Sequence, residues 1–176
     1  MLILYSFLLA GNILAEPQSP PLSPQGDPAY PIKVSENGRY FVDRKGNPVF
    51  WMGTTQWQIF RDNTVEEART ILASAKKNGF SFVQAMLAGV GDGTRPNVYG
   101  EKPWVNDDPL TPNEAYFRNV DAVIEAGRQN GLVFVLGVFH QKQVSRITLA
   151  NARSYARWIA RRYRDVPNLI WTAYPK

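Results

Sequence analysis

Apolar residues recur along this chain in two alternating rhythms. In the first they stand three and four residues apart: Ala68, Ile71, Leu72 and Ala75 form one series, and Phe117, Val120, Val123 and Ile124 another. That spacing lays a stripe along one side of a helix. In the second rhythm they run almost unbroken through 80–87, 132–139 and 168–173, which suits strands covered on both faces. The helical stretches carry end signals. Thr64 precedes Glu66 and Glu67, and Asn78-Gly79 stops the first helix. Thr111-Pro112-Asn113-Glu114 opens the second, with Pro112 expected at its first position, and Asn130-Gly131 ends it. A third helix is predicted over 149–164, before Pro167. Its Ala152, Tyr155, Ala156, Ile159 and Tyr163 would face a sheet, and Arg153, Arg157 and Arg161 would form a solvated outer stripe.

Before the first helix, Asn37-Gly38 and Lys45-Gly46-Asn47-Pro48 are turn signals between short apolar stretches. They predict a β-hairpin whose second arm runs into a first buried strand over 49–53. The order is then hairpin, β-α-β-α-β-α-β, which predicts an α/β fold with a parallel sheet and right-handed crossovers. Periodicity alone fits two architectures. One is a doubly wound open sheet; the other is an incomplete TIM (β/α)8 barrel of about four strands and three helices.

The N-terminal region differs from the rest. Residues 2–10 are apolar, Gly11-Asn12 breaks the run, and Ala15 suits a cleavage position. The expectation is a signal peptide over 1–15 and a secreted or periplasmic protein. Residues 16–31 include Pro17, Pro20, Pro21, Pro24, Pro28 and Pro31, a density that predicts an extended linker. The folded domain is expected over 32–176.

Composition narrows the chemistry. The chain has 176 residues, 44% of them apolar and 20% charged, so one globular domain is expected. The net charge is +5, and much of it falls within 146–164. A solvated basic helix accounts for it better than a nucleic-acid surface does. There is no cysteine, which excludes disulfides and thiolate chemistry. The single histidine, His140, excludes sites that need two. No carboxylates stand at metal-ligand spacing, so neither a metal nor another cofactor is expected.

Gly89-Val-Gly-Asp-Gly93 follows a predicted strand, but the loop continues through Thr94-Arg95-Pro96-Asn97 and no helix opens within the glycines. A nucleotide cradle needs that helix. The loop 88–109 is long and holds Asn97, Tyr99, Trp104, Asp107 and Asp108. An amide beside aromatic rings suits sugar hydroxyls and sugar faces, and equally suits packing of the loop on the domain. Thr54, Gln56 and Trp57 follow the first strand, and His140 follows the third. Gln84 lies inside an apolar strand, where it needs a partner if buried. Thr54, Gln56, Trp57, Gln84, Asn97, Tyr99 and His140 are the candidate carbohydrate contacts; no catalytic residue is assigned.

Several segments together resemble the apiosidase-like glycoside hydrolases, a group of retaining (β/α)8 enzymes. They are Asn37-Gly-Arg-Tyr-Phe-Val-Asp43, Phe50-Trp-Met-Gly-Thr-Thr-Gln-Trp57, Gly79-Phe-Ser-Phe-Val-Gln-Ala85 and Arg95-Pro-Asn-Val-Tyr-Gly-Glu101, then Pro112-Asn-Glu-Ala-Tyr-Phe-Arg-Asn-Val-Asp121, Ala152-Arg-Ser-Tyr-Ala-Arg-Trp158, Arg162-Tyr163 and Pro167-Asn-Leu-Ile-Trp171. The resemblance implies an exported protein acting on plant cell-wall, pectin-type polysaccharide by hydrolysis of O-glycosyl bonds. The family pattern places an acid where Thr54 stands, and a catalytic Asp in a glycine-rich turn after the strand ending near Trp171. Here the sequence reads Trp171-Thr-Ala-Tyr-Pro-Lys176. The expectation is therefore a truncated, inactive N-terminal half. A non-catalytic carbohydrate-binding or assembly module, or a non-functional gene fragment, is the alternative. After signal cleavage no membrane contact is expected. Self-association through exposed strand edges is.

Overall fold

The computed structural model describes residues 28–172. The expected signal segment, most of the expected linker and the last four residues lie outside the described residues.

Two sheets and four α-helices make up the described chain. The first sheet is antiparallel, in the order β1 (Lys33–Val34), β2 (Phe41–Val42), β3 (Pro48–Val49). Asp43 holds its second turn: its carboxylate accepts from the amides of Lys45 (2.8 Å) and Asn47 (2.9 Å). Ala29 is tied to the same turn, since Arg44 N–H donates to its carbonyl at 2.7 Å.

The second sheet is parallel, in the order β4 (Gly53–Thr55), β5 (Phe82–Met86), β6 (Val133–Gly137), β7 (Leu169–Thr172). Helices α1 (Ile59–Asp62) and α2 (Val65–Lys77) follow β4, α3 (Glu114–Gln129) follows β5, and α4 (Ala152–Arg162) follows β6. Each strand pairs with its successor, as in a run of βαβ units.

Several boundaries differ from the sequence expectation. The first parallel strand is Gly53–Thr55, because Val49 pairs with Phe41 in the antiparallel sheet. The hairpin is therefore three-stranded. Pro112 stands outside α3: Asn113 is the N-cap, its side-chain oxygen accepting from Ala115 N–H at 3.0 Å. Helix α4 starts at Ala152, since the Asn151 side chain accepts from Thr148 N–H at 2.8 Å and holds the preceding residues in a turn. The four-residue α1 is too short to leave a periodic pattern, and the sequence did not reveal it.

Alternation along the strands assigns the two sides of the parallel sheet. Val83 and Ala85, in register with Phe134 and Leu136, are fully buried with Leu72 of α2 and Phe117 and Val120 of α3. Helix α3 approaches closely at Gly127, where a Cβ would overlap the Phe134 ring. Phe82, Gln84 and Met86 occupy the other side. At the N-terminal end of the strands that side is covered by the antiparallel sheet and the segment leading from it. Trp51 stacks on Phe82, and Phe41 lies against Trp51 with ring centroids 4.6 Å apart. Gly53 permits this packing, because a Cβ there would overlap the Phe82 ring.

Candidate functional site

With one end of the sheet covered, the strand C-termini and the loops beyond them form the open end. Sites of parallel α/β folds are built there.

The loop 88–109 is packed on the domain. Trp104 is buried, edge-on to Tyr155 of α4 at 5.7 Å between ring centroids. Gly93 lies flat against the indole, where any Cβ would overlap it. The Asn113 side chain donates to Glu101 at 2.8 Å and ties the loop to the start of α3. Of the two uses open to this loop, packing is the one that Trp104 serves.

A buried polar network joins the loops after β4, β5 and β6. Arg61 of α1 is 5% exposed. Its Nη1 donates to the Val90 carbonyl at 2.8 Å, and its Nε to Asp62 at 2.9 Å. The Gln58 side-chain oxygen accepts from Val90 N–H at 3.1 Å. Gln143 is 1% exposed, and its amide donates to the Gly89 carbonyl at 3.2 Å. The same side chain accepts from His140 N–H at 3.1 Å. Gly89 is at φ +72°, and a Cβ would come within 2.9 Å of both Arg61 Nη1 and Gln58 Oε1. Sequence reading missed Gln58, Arg61 and Gln143. The Gly89-Val-Gly run was the available signal, because a backbone needing so close an approach excludes side chains.

The seven candidate contacts fall into three groups. His140 is buried, and its Nδ1 accepts from Gly91 N–H (3.4 Å) and Lys142 N–H (3.2 Å). Burial, with Lys142 nearby, holds its pKa below the ordinary value of 6.5. Asn97 shapes its own turn: its side-chain oxygen accepts from the amides of Tyr99 (3.0 Å) and Glu101 (2.9 Å). The Tyr99 hydroxyl accepts from Val65 N–H at 2.9 Å, at the first turn of α2, and leaves half of the ring exposed. Arg61 links this turn to the rest, its carbonyl accepting from Val98 N–H at 2.9 Å.

Thr54 and Gln56 take a different direction. Thr54 is in register with Val83, on the helix side. Both residues line a crevice of about 300 Å³ with Ile71 and Ser74 of α2. Gln84 lies on the opposite side, half-buried, and its side-chain amide makes no hydrogen bond to the described residues. Trp57 is half-buried just past β4, its carbonyl accepting from Met86 N–H at 3.1 Å.

The carboxylates of these loops have local partners. Asp92 accepts from the Thr94 hydroxyl (2.7 Å) and Asp107 from Lys102 (3.1 Å), while Asp108 accepts from Leu110 N–H (2.9 Å). Hydrogen bonds from Thr94 hold the Asp92 carboxyl below the usual carboxylate range. Among the described residues no group of His, Asp and Glu could hold a metal ion.

Comparison with known proteins fits this geometry. No curated protein matches the chain. A solved glycoside hydrolase is similar at 26% identity and TM-score 0.72, over 81% of this chain and 33% of its own length. A family 5 glycoside hydrolase from Bacteroides vulgatus is similar at 26% identity and TM-score 0.72, over 80% of this chain and 31% of its own. The chain thus spans about a third of the length of these structures. Its α/β fold is that of part of a TIM (β/α)8 barrel, with an N-terminal hairpin sheet before it. The model of the apiosidase-like catalytic domain matches residues 35–173. The chain belongs to the apiosidase-like family of glycoside hydrolases.

Proposed function

We propose that this protein is exported and takes part in hydrolysing O-glycosyl bonds of pectin-type plant cell-wall polysaccharide, with residues 28–172 supplying part of the substrate-facing end of the barrel. The family match over 35–173 carries the reading. The open end of the sheet supports it, because Trp57, Gln84 and His140 stand on or just past the strands that lead there, and Tyr99 in the loop that follows β5. The half-buried Gln84 amide is suited to a sugar hydroxyl, and the exposed Tyr99 ring to a sugar face. Asn97, Thr54 and Gln56 shape the surrounding loops and the sheet edge.

On this reading the 176-residue polypeptide does not hydrolyse its substrate by itself. Retaining hydrolysis needs two carboxylates held about 5–5.5 Å apart, one as nucleophile and one as acid/base. Asp92, Asp107 and Asp108 each serve a local turn or ion pair instead. The test is an activity screen on pectic oligosaccharides. It compares this polypeptide with one that also carries the remaining strand–helix units of a full-length family member. Binding without turnover by the first, and sugar release by the second, is the expected result. Failure of both on every pectic substrate would refute the assignment. Export has its own test: the N-terminus of secreted material should fall near Glu16, and intact Met1 retained in the cytoplasm would refute it.

A further inference from the structure

Charge along this chain is strongly segregated. Residues 126–164 contain eight Arg and Lys and no Asp or Glu. Four of these cations have carboxylate partners in the fold. Arg128 pairs with Glu125 at 2.6 Å, Arg164 with Asp165 at 2.8 Å, and Arg146 faces Asp107 at 3.9 Å. Arg162 bridges Glu114 and Asp121 at 2.8 and 2.7 Å. Arg153, Arg157 and Arg161 have none: all three are exposed and form no ion pair with the described residues. They stand at i, i+4 and i+8 on the side of α4 opposite the buried Tyr155 and Ile159, so successive guanidinium stems rise about 6 Å apart along one line. Like charges at this spacing repel and weaken a helix. A surface serving only solubility would alternate the signs.

We propose that this α4 ladder binds a carboxylated polysaccharide, a polyuronate chain, on the flank of the domain and away from the open strand ends. The proposal rests on the carbohydrate reading above. Guanidinium groups engage carboxylates through paired N–H donors, and a polyuronate repeats carboxylates along an extended chain, as the ladder repeats cations along a helix. A single narrow row suits such a strand better than a nucleic-acid duplex, whose closely spaced phosphates call for a broader basic surface.

Binding of the full chain to polygalacturonate, neutral galactan and duplex DNA tests the idea. Polygalacturonate should bind more tightly than the other two and weaken as salt rises. The triple variant R153A/R157A/R161A should lose about tenfold in affinity, as expected for three exposed ion pairs. Alanine is a strong helix former, so α4 should persist, and far-UV circular dichroism checks that. Arg128→Ala, on α3, should bind like the parent. Unchanged polygalacturonate binding in the triple variant would overturn the ladder, as would tighter binding to DNA. Binding to neutral galactan alone would overturn the ladder and leave the carbohydrate reading standing. Binding to neither polysaccharide would overturn both.

Discussion

Trp51 lies against Phe82 with ring centroids 4.3 Å apart and planes 20° from parallel. The pair joins the segment after the antiparallel sheet to the second parallel strand and covers the N-terminal end of the parallel sheet. Phe82→Ala should cost about 2–3 kcal/mol of stability. A double-mutant cycle with Trp51→Ala should give a coupling of about 1 kcal/mol. Urea unfolding of the four proteins measures both. Strictly additive losses would show that the two sheets are fastened elsewhere.

Arg162 fastens α3 to α4. It pairs with Glu114 and Asp121 and lies over the rings of Phe117 (5.6 Å) and Trp158 (5.4 Å). Arg162→Met should lower stability at neutral pH by about 1–3 kcal/mol. The hydrogen bond from Arg162 holds the Glu114 pKa below its ordinary 4.5. Its contribution is therefore complete above pH 4.5 and fades as pH falls through the depressed value. The stability gap between parent and variant should narrow in acid, and a gap unchanged at pH 3 would contradict the assignment.

Gly93 is at φ +83° with its α-carbon against the Trp104 ring. Gly93→Ala combines a strained backbone with an overlap on a buried indole, and should destabilise by about 2 kcal/mol or more. Thermal melting followed by tryptophan fluorescence reads the loss and the loop's detachment together. Gly100→Ala is the comparison: its φ is also +83°, but a Cβ there meets nothing within 4 Å, so the difference isolates the contact.

His140 is the only histidine, so its imidazole NMR signals need no assignment. Burial, followed by the Lys142 charge, depresses its pKa below 6.5. In the window below 6.5 the unfolded chain binds the proton that the folded chain refuses, so stability falls as pH drops through it. A folded-state midpoint at or above 6.5 would be inconsistent with the buried, proton-accepting Nδ1. Gln143→Ala should loosen the loop and move the midpoint back toward the ordinary value.

Among the described residues, strands β4 and β7 each have one neighbour in the parallel sheet. Beside β7 an apolar groove of about 570 Å³ is lined by Val138, Phe139, Ile159 and Trp171. Such an edge recruits further strands. The 176-residue polypeptide should sediment as a dimer or larger species at micromolar concentration, and Trp171→Lys should reduce this. A monomer across that range would contradict the expectation.

Local signals were readable in the sequence where the physics is local. Thr64 and Glu67 form a reciprocal capping box, Thr64 N–H donating to the Glu67 carboxylate at 2.8 Å, as the acidic first turn of α2 suggests. Asn78-Gly79 and Asn130-Gly131 end their helices with glycines at φ +80° and +65°. The Arg153–Arg157–Arg161 stripe is exposed as its spacing implies. Side-chain roles that depend on distant partners were not readable. Nothing near Gln143 in sequence points to the Gly89 carbonyl, and nothing near Tyr99 points to the α2 amide it accepts from. Thr54 and Trp57 stand three residues apart, yet strand alternation turns Thr54 toward α2. The sequence therefore showed on which loop or strand each candidate side chain stands, and not which distant group it meets.

The order β4-β5-β6-β7 repeats the order of synthesis. Strands β5, β6 and β7 each hydrogen-bond to the strand made just before them, so contacts link neighbouring stretches of chain and loop closure stays cheap. A ribosome releasing this polypeptide N-terminus first delivers the aromatic base plate of Phe41 and Trp51 before Phe82 arrives to stack on it. Each later strand–helix unit then meets a finished edge that serves as its template, and assembly can keep pace with elongation without waiting for a distant partner.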